Sequence, residues 1–295
     1  MSDIDVAPVG AVPHASGVQT ATPAAHQLPP PLPAARASPG WRAGRYQPLT
    51  PWTPWWGLGA TALIGLLVVL FLAASGGILS VLYPQAFEHT GAAIPKLRLE
   101  QPAVAYGLSG VMLASQLFGV LLTLLFARAK PGRLTEVLAL RAPIGGPWAY
   151  AWALPLFVVF GFGVGLLFQW LWPQSSRADT ELMQQLTHSP AAWLIFAAAV
   201  VLAPMQEELI FRGFLFSALA RARVLGFVGA TILTSLGWAA IHGYSIIGDS
   251  TIFLLGLMLS FILWRTGSTR VTMACHGGYN ALAFLAAVFA SGAGG

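Results

Sequence analysis

The chain has 295 residues, 56% of them hydrophobic and only 8% charged, where a soluble domain averages about 25% charged residues. That composition excludes an ordinary soluble globule and points to a polytopic membrane protein. The net charge of +5 does not mark a nucleic-acid binder, because the basic residues lie in short loops between apolar runs. The single cysteine, Cys275, excludes an intrachain disulfide and a Cys-rich zinc site.

Residues 1–50 are rich in Ala, Pro, Gly and Ser and hold no sustained apolar period. A disordered cytoplasmic tail is expected there, extended around Pro29-Pro30-Pro31-Leu32-Pro33. The N-terminus lacks the basic stretch and apolar run of a cleavable signal peptide. Trp52, Trp55 and Trp56 then lead into the first apolar run, where Trp suits the membrane interface.

A spanning helix needs about 20 mostly apolar residues. Spans are expected near 57–82, 103–127, 148–172, 191–219, 225–243, 251–265 and 270–291. The fold class is therefore all-α, a membrane helix bundle of about seven transmembrane helices, with eight as the alternative. The sixth span is short and could begin nearer Tyr244. The fourth is long, and its last turns are expected at the interface. Residues 51–190 are expected to form the N-terminal transmembrane helices, and 191–291 the helical core that carries the polar motifs. No repeat of transporter type is present.

Loop charge sets the expected orientation. Arg36, Arg42 and Arg45 of the tail, Arg128, Lys130, Arg133 and Arg141, the pair Arg221 and Arg223, and the pair Arg265 and Arg270 all fall on one side of a seven-span chain. The opposite loops mix Lys96, Arg98 and Arg177 with Glu88, Glu100, Asp179 and Glu181. The N-terminus is expected in the cytoplasm.

The intramembrane polar groups concentrate in the last third of the chain. Glu207 and Glu208 adjoin, with Arg212 four residues on. Residues four apart share a helix face, so Glu208 pairs with Arg212, and Glu207 points elsewhere. Pro204 lacks the N–H that would serve Val200, so a kink is expected just before the glutamates. Trp238 and His242 share a face of the fifth span, and His276 and Asn280 a face of the seventh, with Gly277 and Gly278 allowing close approach. Glutamate with histidine can activate water, and a second histidine with an amide can serve an oxyanion. Competing nucleophiles are weak. Ser235 has no third partner in view, and Cys275 faces away from its neighbour His276. No His-Glu-x-x-His zinc motif occurs.

Glu207-Glu208-x-x-x-Arg212, an aromatic-x-x-x-His242 and His276-x-x-x-Asn280, in this order on successive membrane segments, resemble the CPBP intramembrane protease family. That family comprises CAAX prenyl proteases of the Rce1 type and bacterial Abi-type relatives. The resemblance covers roughly residues 191–291; Trp238 stands where the family usually has Phe. It implies an intramembrane endopeptidase in a bacterial cell membrane, acting on a peptide or membrane-protein substrate among lipids. By position, Glu207 and His242 would activate water, His276 and Asn280 would stabilise the oxyanion, and Glu208 and Arg212 would support the site. No cofactor is expected. Zinc is the possible exception, and Glu207, His242 and His276 would be its ligands. The alternative function is a non-catalytic immunity or partner-binding protein on the same fold.

One geometric conflict stands in the sequence. At about 1.5 Å per residue, Glu207, His242 and His276 fall at different depths if every span is full length. The expected resolution is that the fourth span ends near the glutamates and residues 209–222 run along the interface.

Overall fold

The computed structural model describes residues 46–84, 87–88, 96–97, 99–173 and 183–292. The expected tail, as far as residue 45, lies outside the described residues, as do Arg98, Arg177, Asp179 and Glu181 of the loops used for orientation.

The protein is an all-helical bundle built from α1 (Pro54–Leu82), α2 (Pro102–Arg128), the single turn α3 (Leu134–Val137), α4 (Trp148–Leu171), α5 (Ala192–Leu219), α6 (Gly226–Ala240), α7 (Ile246–Thr266) and α8 (Thr269–Gly292). A minimal antiparallel ribbon, Phe87–Glu88 against Lys96–Leu97, lies between α1 and α2. Six helices, α1, α2, α4, α5, α7 and α8, are long and apolar enough to cross a membrane, and α6 is a shorter apolar helix. Proline opens α1 and α2 at a position where its missing N–H costs nothing. Leu66 and Val69 of α1, Leu121 and Leu125 of α2, and Val159 and Leu166 of α4 are exposed. Apolar side chains facing outward in this number suit hydrocarbon rather than water. This is an integral membrane protein.

α5 is the hub. It touches α1, α2, α6 and α8, and every residue from Glu208 to Ala220 is buried. The expectation that the fourth span ends near the glutamates is therefore wrong. The helix continues to Leu219, and residues 209–220 are enclosed by protein. What resolves the depth conflict is the shortness of α6. Its 15 residues rise only about 22 Å, so His242, just beyond its end, need not lie a full membrane thickness from its start.

The disturbance expected at Pro204 takes the form of two π-helical stretches, Ala198–Leu202 and Glu208–Leu215, on either side of Ala203–Glu207. Within the first, the Ala203 N–H reaches back five residues to the Ala198 carbonyl. In that register the donor for Ala199 would come from Pro204, which has none.

Residues 46–50, expected as part of the tail, pack onto the bundle. Tyr46 and Thr50 are buried. The Tyr46 and Ser217 hydroxyls lie 2.5 Å apart, Arg141 Nη2 donates to the Gln47 carbonyl at 2.9 Å, and Arg221 donates to the Thr50 carbonyl. Burial pushes the Tyr46 phenol up to about 12.

The loop after α3 is pinned beneath the turn between α7 and α8. Thr269 Oγ1 donates to the Leu138 carbonyl at 2.8 Å and the Thr269 N–H to the Ala139 carbonyl at 2.9 Å. Ser268 Oγ donates to the Arg141 carbonyl at 2.6 Å. The same loop passes over α5 at Gly213, where a Cβ would come within 3.0 Å of the Leu138 oxygen. α5 is thereby held against α8.

Candidate active site

The three polar clusters come from three helices. Glu207, Glu208 and Arg212 lie on α5, Trp238 on α6 with His242 two residues past its end, and His276 and Asn280 on α8. Gly243 follows His242 with φ of 65°, a left-handed turn that suits glycine. It leads to Ser245, whose Oγ caps α7 by accepting from the Gly248 N–H at 3.1 Å.

The two glutamates divide as helix geometry predicts. The Glu208 and Arg212 side chains are fully buried, and Arg212 Nη1 donates to Glu208 Oε1 at 3.0 Å. Arg212 Nη2 also reaches the Gly256 carbonyl at 3.4 Å, and its guanidinium lies 4.2 Å from the Trp238 ring centroid. Glu208 Oε1 receives His276 Nδ1 at 3.2 Å. Glu207 instead opens into a cavity of about 270 Å³, lined by both histidines, Asn280 and Trp238 among others.

Both imidazoles are oriented from behind. His242 Nδ1 lies 2.7 Å from the Trp238 carbonyl, and His276 Nδ1 faces the Glu208 carboxylate. A carbonyl and an ionised carboxylate only accept hydrogen bonds. The partners therefore assign one proton of each ring to Nδ1; Nε2 accepts where the imidazole is neutral and donates where the ring carries both protons. Each Nε2 lies 3.9 Å from Glu207 Oε2. That is too long for a direct hydrogen bond and fits a water molecule in between. Two legs of about 2.8 Å bridging that separation meet at an angle of about 90°. Among the described residues, no group of three or more His, Cys, Asp or Glu side chains is arranged to hold a metal ion. Glu207 Oε2, which lies 3.9 Å from each Nε2, also receives the Trp238 N–H at 2.6 Å.

Asn280 lines the same cavity, but one of its amide protons is engaged. Nδ2 donates to the Ala199 carbonyl at 2.8 Å, the carbonyl that the π register and Pro204 leave without a donor. Close approach of α8 to α5 makes this bond possible. A Cβ at Gly277 would sit 2.6 Å from the Val200 oxygen. Gly278 likewise faces Leu154 of α4.

Two contributors were not apparent from the motifs. Trp238 does more than keep an aromatic ring in place, since Nε1 donates to Glu207 Oε2 at 2.6 Å. Gln116 of α2 lines the cavity, and its Oε1 is buried without a partner among the described residues. An amide inside an otherwise apolar span was the available signal for it.

Residues 189–282 match the family model for type II CAAX prenyl endopeptidase, Rce1-like. This core is similar to the Rce1-like family. No curated protein and no solved structure matches the chain. The Rce1-like core carries Glu207, Glu208, Arg212, His242, His276 and Asn280. Met112 and Gln116 of α2 and Phe157 of α4 are among the cavity-lining residues outside the matched range. The match supports, at family level, a CAAX-protease-like intramembrane endopeptidase, a kind of enzyme whose substrate is a peptide or protein in a membrane.

Proposed function

We propose that the protein hydrolyses a peptide bond with a water molecule activated by Glu207 and His242. The observation that carries this is the convergence of Glu207 Oε2 with two imidazole Nε2 atoms, each 3.9 Å away, at the wall of one cavity. Water placed there donates one proton toward Glu207 and is oriented by His242. As oxygen attacks the scissile carbonyl, Glu207 takes the proton. Negative charge develops on the carbonyl oxygen, which faces His276 and Asn280. His276 donates from Nε2 when its ring carries both protons, with Nδ1–H still held by Glu208. Asn280 contributes the amide proton that Ala199 does not use. Collapse of the tetrahedral intermediate breaks the C–N bond, and the proton on Glu207 passes to the leaving amine. Peptide plus water gives carboxylate plus amine.

In this reading no step passes through a metal ion. Glu208 and Arg212 hold His276 in place and do not touch the substrate. The loop charges support a cytoplasmic N-terminus, which labelling of single cysteines placed in the tail and in the opposite loops of intact cells would test.

The deciding experiment reconstitutes the full chain in liposomes with a fluorogenic peptide ending in a farnesylated CaaX sequence and with membrane-protein candidates. Glu207→Gln, His242→Ala and His276→Ala are each expected to abolish cleavage while the protein still inserts. Full activity in Glu207→Gln would refute the mechanism, and unchanged activity after exhaustive chelation is expected.

A further inference from the structure

Trp238 touches Glu207, Arg212, His242 and His276, and the reaction as described gives it no part. It is buried. One face of its ring carries the Arg212 guanidinium at 4.2 Å. The rings of His242 and His276 stand edge-on to it, with centroids 5.3 and 5.2 Å away. Its carbonyl holds His242 Nδ1, and its indole N–H holds Glu207 Oε2 at 2.6 Å.

The bound oxygen is the one that both imidazoles face. Glu207 belongs to a long, flexible residue type, and its side chain is 19% exposed to the cavity. Without a fixed donor, its carboxylate would sample several rotamers, at an entropic cost each time it returned to the water. The indole N–H is a donor only, mounted on a ring that packing cannot let turn. It therefore selects one position of Oε2, equidistant from the two Nε2 atoms.

We propose that Trp238 is a positioning residue: its indole N–H locks Glu207 in the orientation that aligns the attacking water with His242 and leaves His276 to the carbonyl oxygen. The proposal rests on the peptidase reading for its consequence and on the hydrogen bond for its substance, so the test has two arms.

In the first arm, the full chain in lipid nanodiscs carries ¹⁵N-labelled indoles, and the Trp238 resonance is assigned by its loss in Trp238→Phe. Glu207→Ala is expected to move that resonance upfield and to speed its exchange with solvent. A resonance that does not respond overturns the proposal whether or not the protein is a peptidase.

In the second arm, cleavage of the farnesylated CaaX peptide is measured. Trp238→Phe keeps an aromatic ring beneath Arg212 and removes the N–H. It is expected to lower kcat about 10- to 100-fold with little change in KM, the scale of a misplaced reacting group. Replacement of Trp238 by benzothienylalanine, which keeps the bicyclic shape without the N–H, is expected to show the same loss at an unchanged melting temperature. In Glu207→Asp, whose shorter carboxylate falls back from the indole, adding Trp238→Phe is expected to cost little more, because coupled residues are not additive. Full kcat in the benzothienylalanine variant, or additive losses in the double variant, overturns the proposal. A wild-type protein that leaves every substrate intact refutes the peptidase reading instead, and the nanodisc arm then decides the lock alone.

Discussion

Removing the guanidinium at position 212 leaves Glu208 as a buried carboxylate that has lost its cation and keeps His276 beside it. The N···O distance is 3.0 Å and both side chains are fully buried. At an effective dielectric of about 20, that pair attracts by roughly 5 kcal/mol before desolvation is counted. Stacking of the guanidinium over Trp238 adds about 2 kcal/mol in a desolvated site. Breaking one side of a buried pair typically costs about 3–5 kcal/mol, because the remaining charge is uncompensated. For Arg212→Met we expect a loss in that range. At about 2–4 °C per kcal/mol for a chain of this size, it corresponds to a fall of roughly 6–20 °C in the melting temperature of the detergent-solubilised protein. The control is Glu208→Gln combined with Arg212→Met, which removes both charges and is expected to recover more than half of the loss. A single variant that melts with the wild type would refute the pairing as a stabilising element. A double variant no better than the single one would show that packing, not charge, carries the effect.

Asn280→Ala is expected to destabilise the protein by about 1–3 kcal/mol, since the Ala199 carbonyl loses its donor, and to impair cleavage; unchanged melting would confine Asn280 to the chemistry. Tyr46 gives a pH-dependent stability whose sign follows from its raised pKa. The phenol is neutral in both states below pH 10, ionises in the unfolded chain above that, and in the folded protein only near the value of about 12. Stability is thus lost as pH rises from 10 to 12, by roughly 3 kcal/mol in all. Tyr46→Phe is expected to flatten that stretch of the denaturation profile while costing about 1 kcal/mol at neutral pH for the Ser217 hydrogen bond; an identical alkaline slope in the variant would refute the assignment.

Spacing and composition explain why much of the site could be read beforehand. Glu208 and Arg212 are four residues apart, and their pairing needs nothing beyond one helix face. Glu207, His242, His276 and Asn280 stand out because polar groups are rare in apolar spans. The partners that orient them could not be read the same way. The Trp238 N–H on Glu207, the His276 Nδ1 on Glu208 and the Asn280 amide on Ala199 each join different helices. None has a periodicity that would announce it. Gln116 lies outside the motif-bearing third and enters the cavity only because α2 packs against α5.

The sequence by itself determined the membrane class, the apolar helices and the residue types able to activate water, because hydrocarbon demands long apolar runs and makes each ionisable group conspicuous. Only the tertiary structure decided how those groups meet. Residues 208–220 could have been interfacial by composition alone, and their burial follows from α1, α2, α6 and α8 closing around α5. The Pro204 disturbance became a π register whose stranded carbonyl is satisfied from another helix. The shortness of α6, a matter of where the chain turns, places His242 beside Glu207. Distances between helices depend on packing contacts that no local pattern encodes.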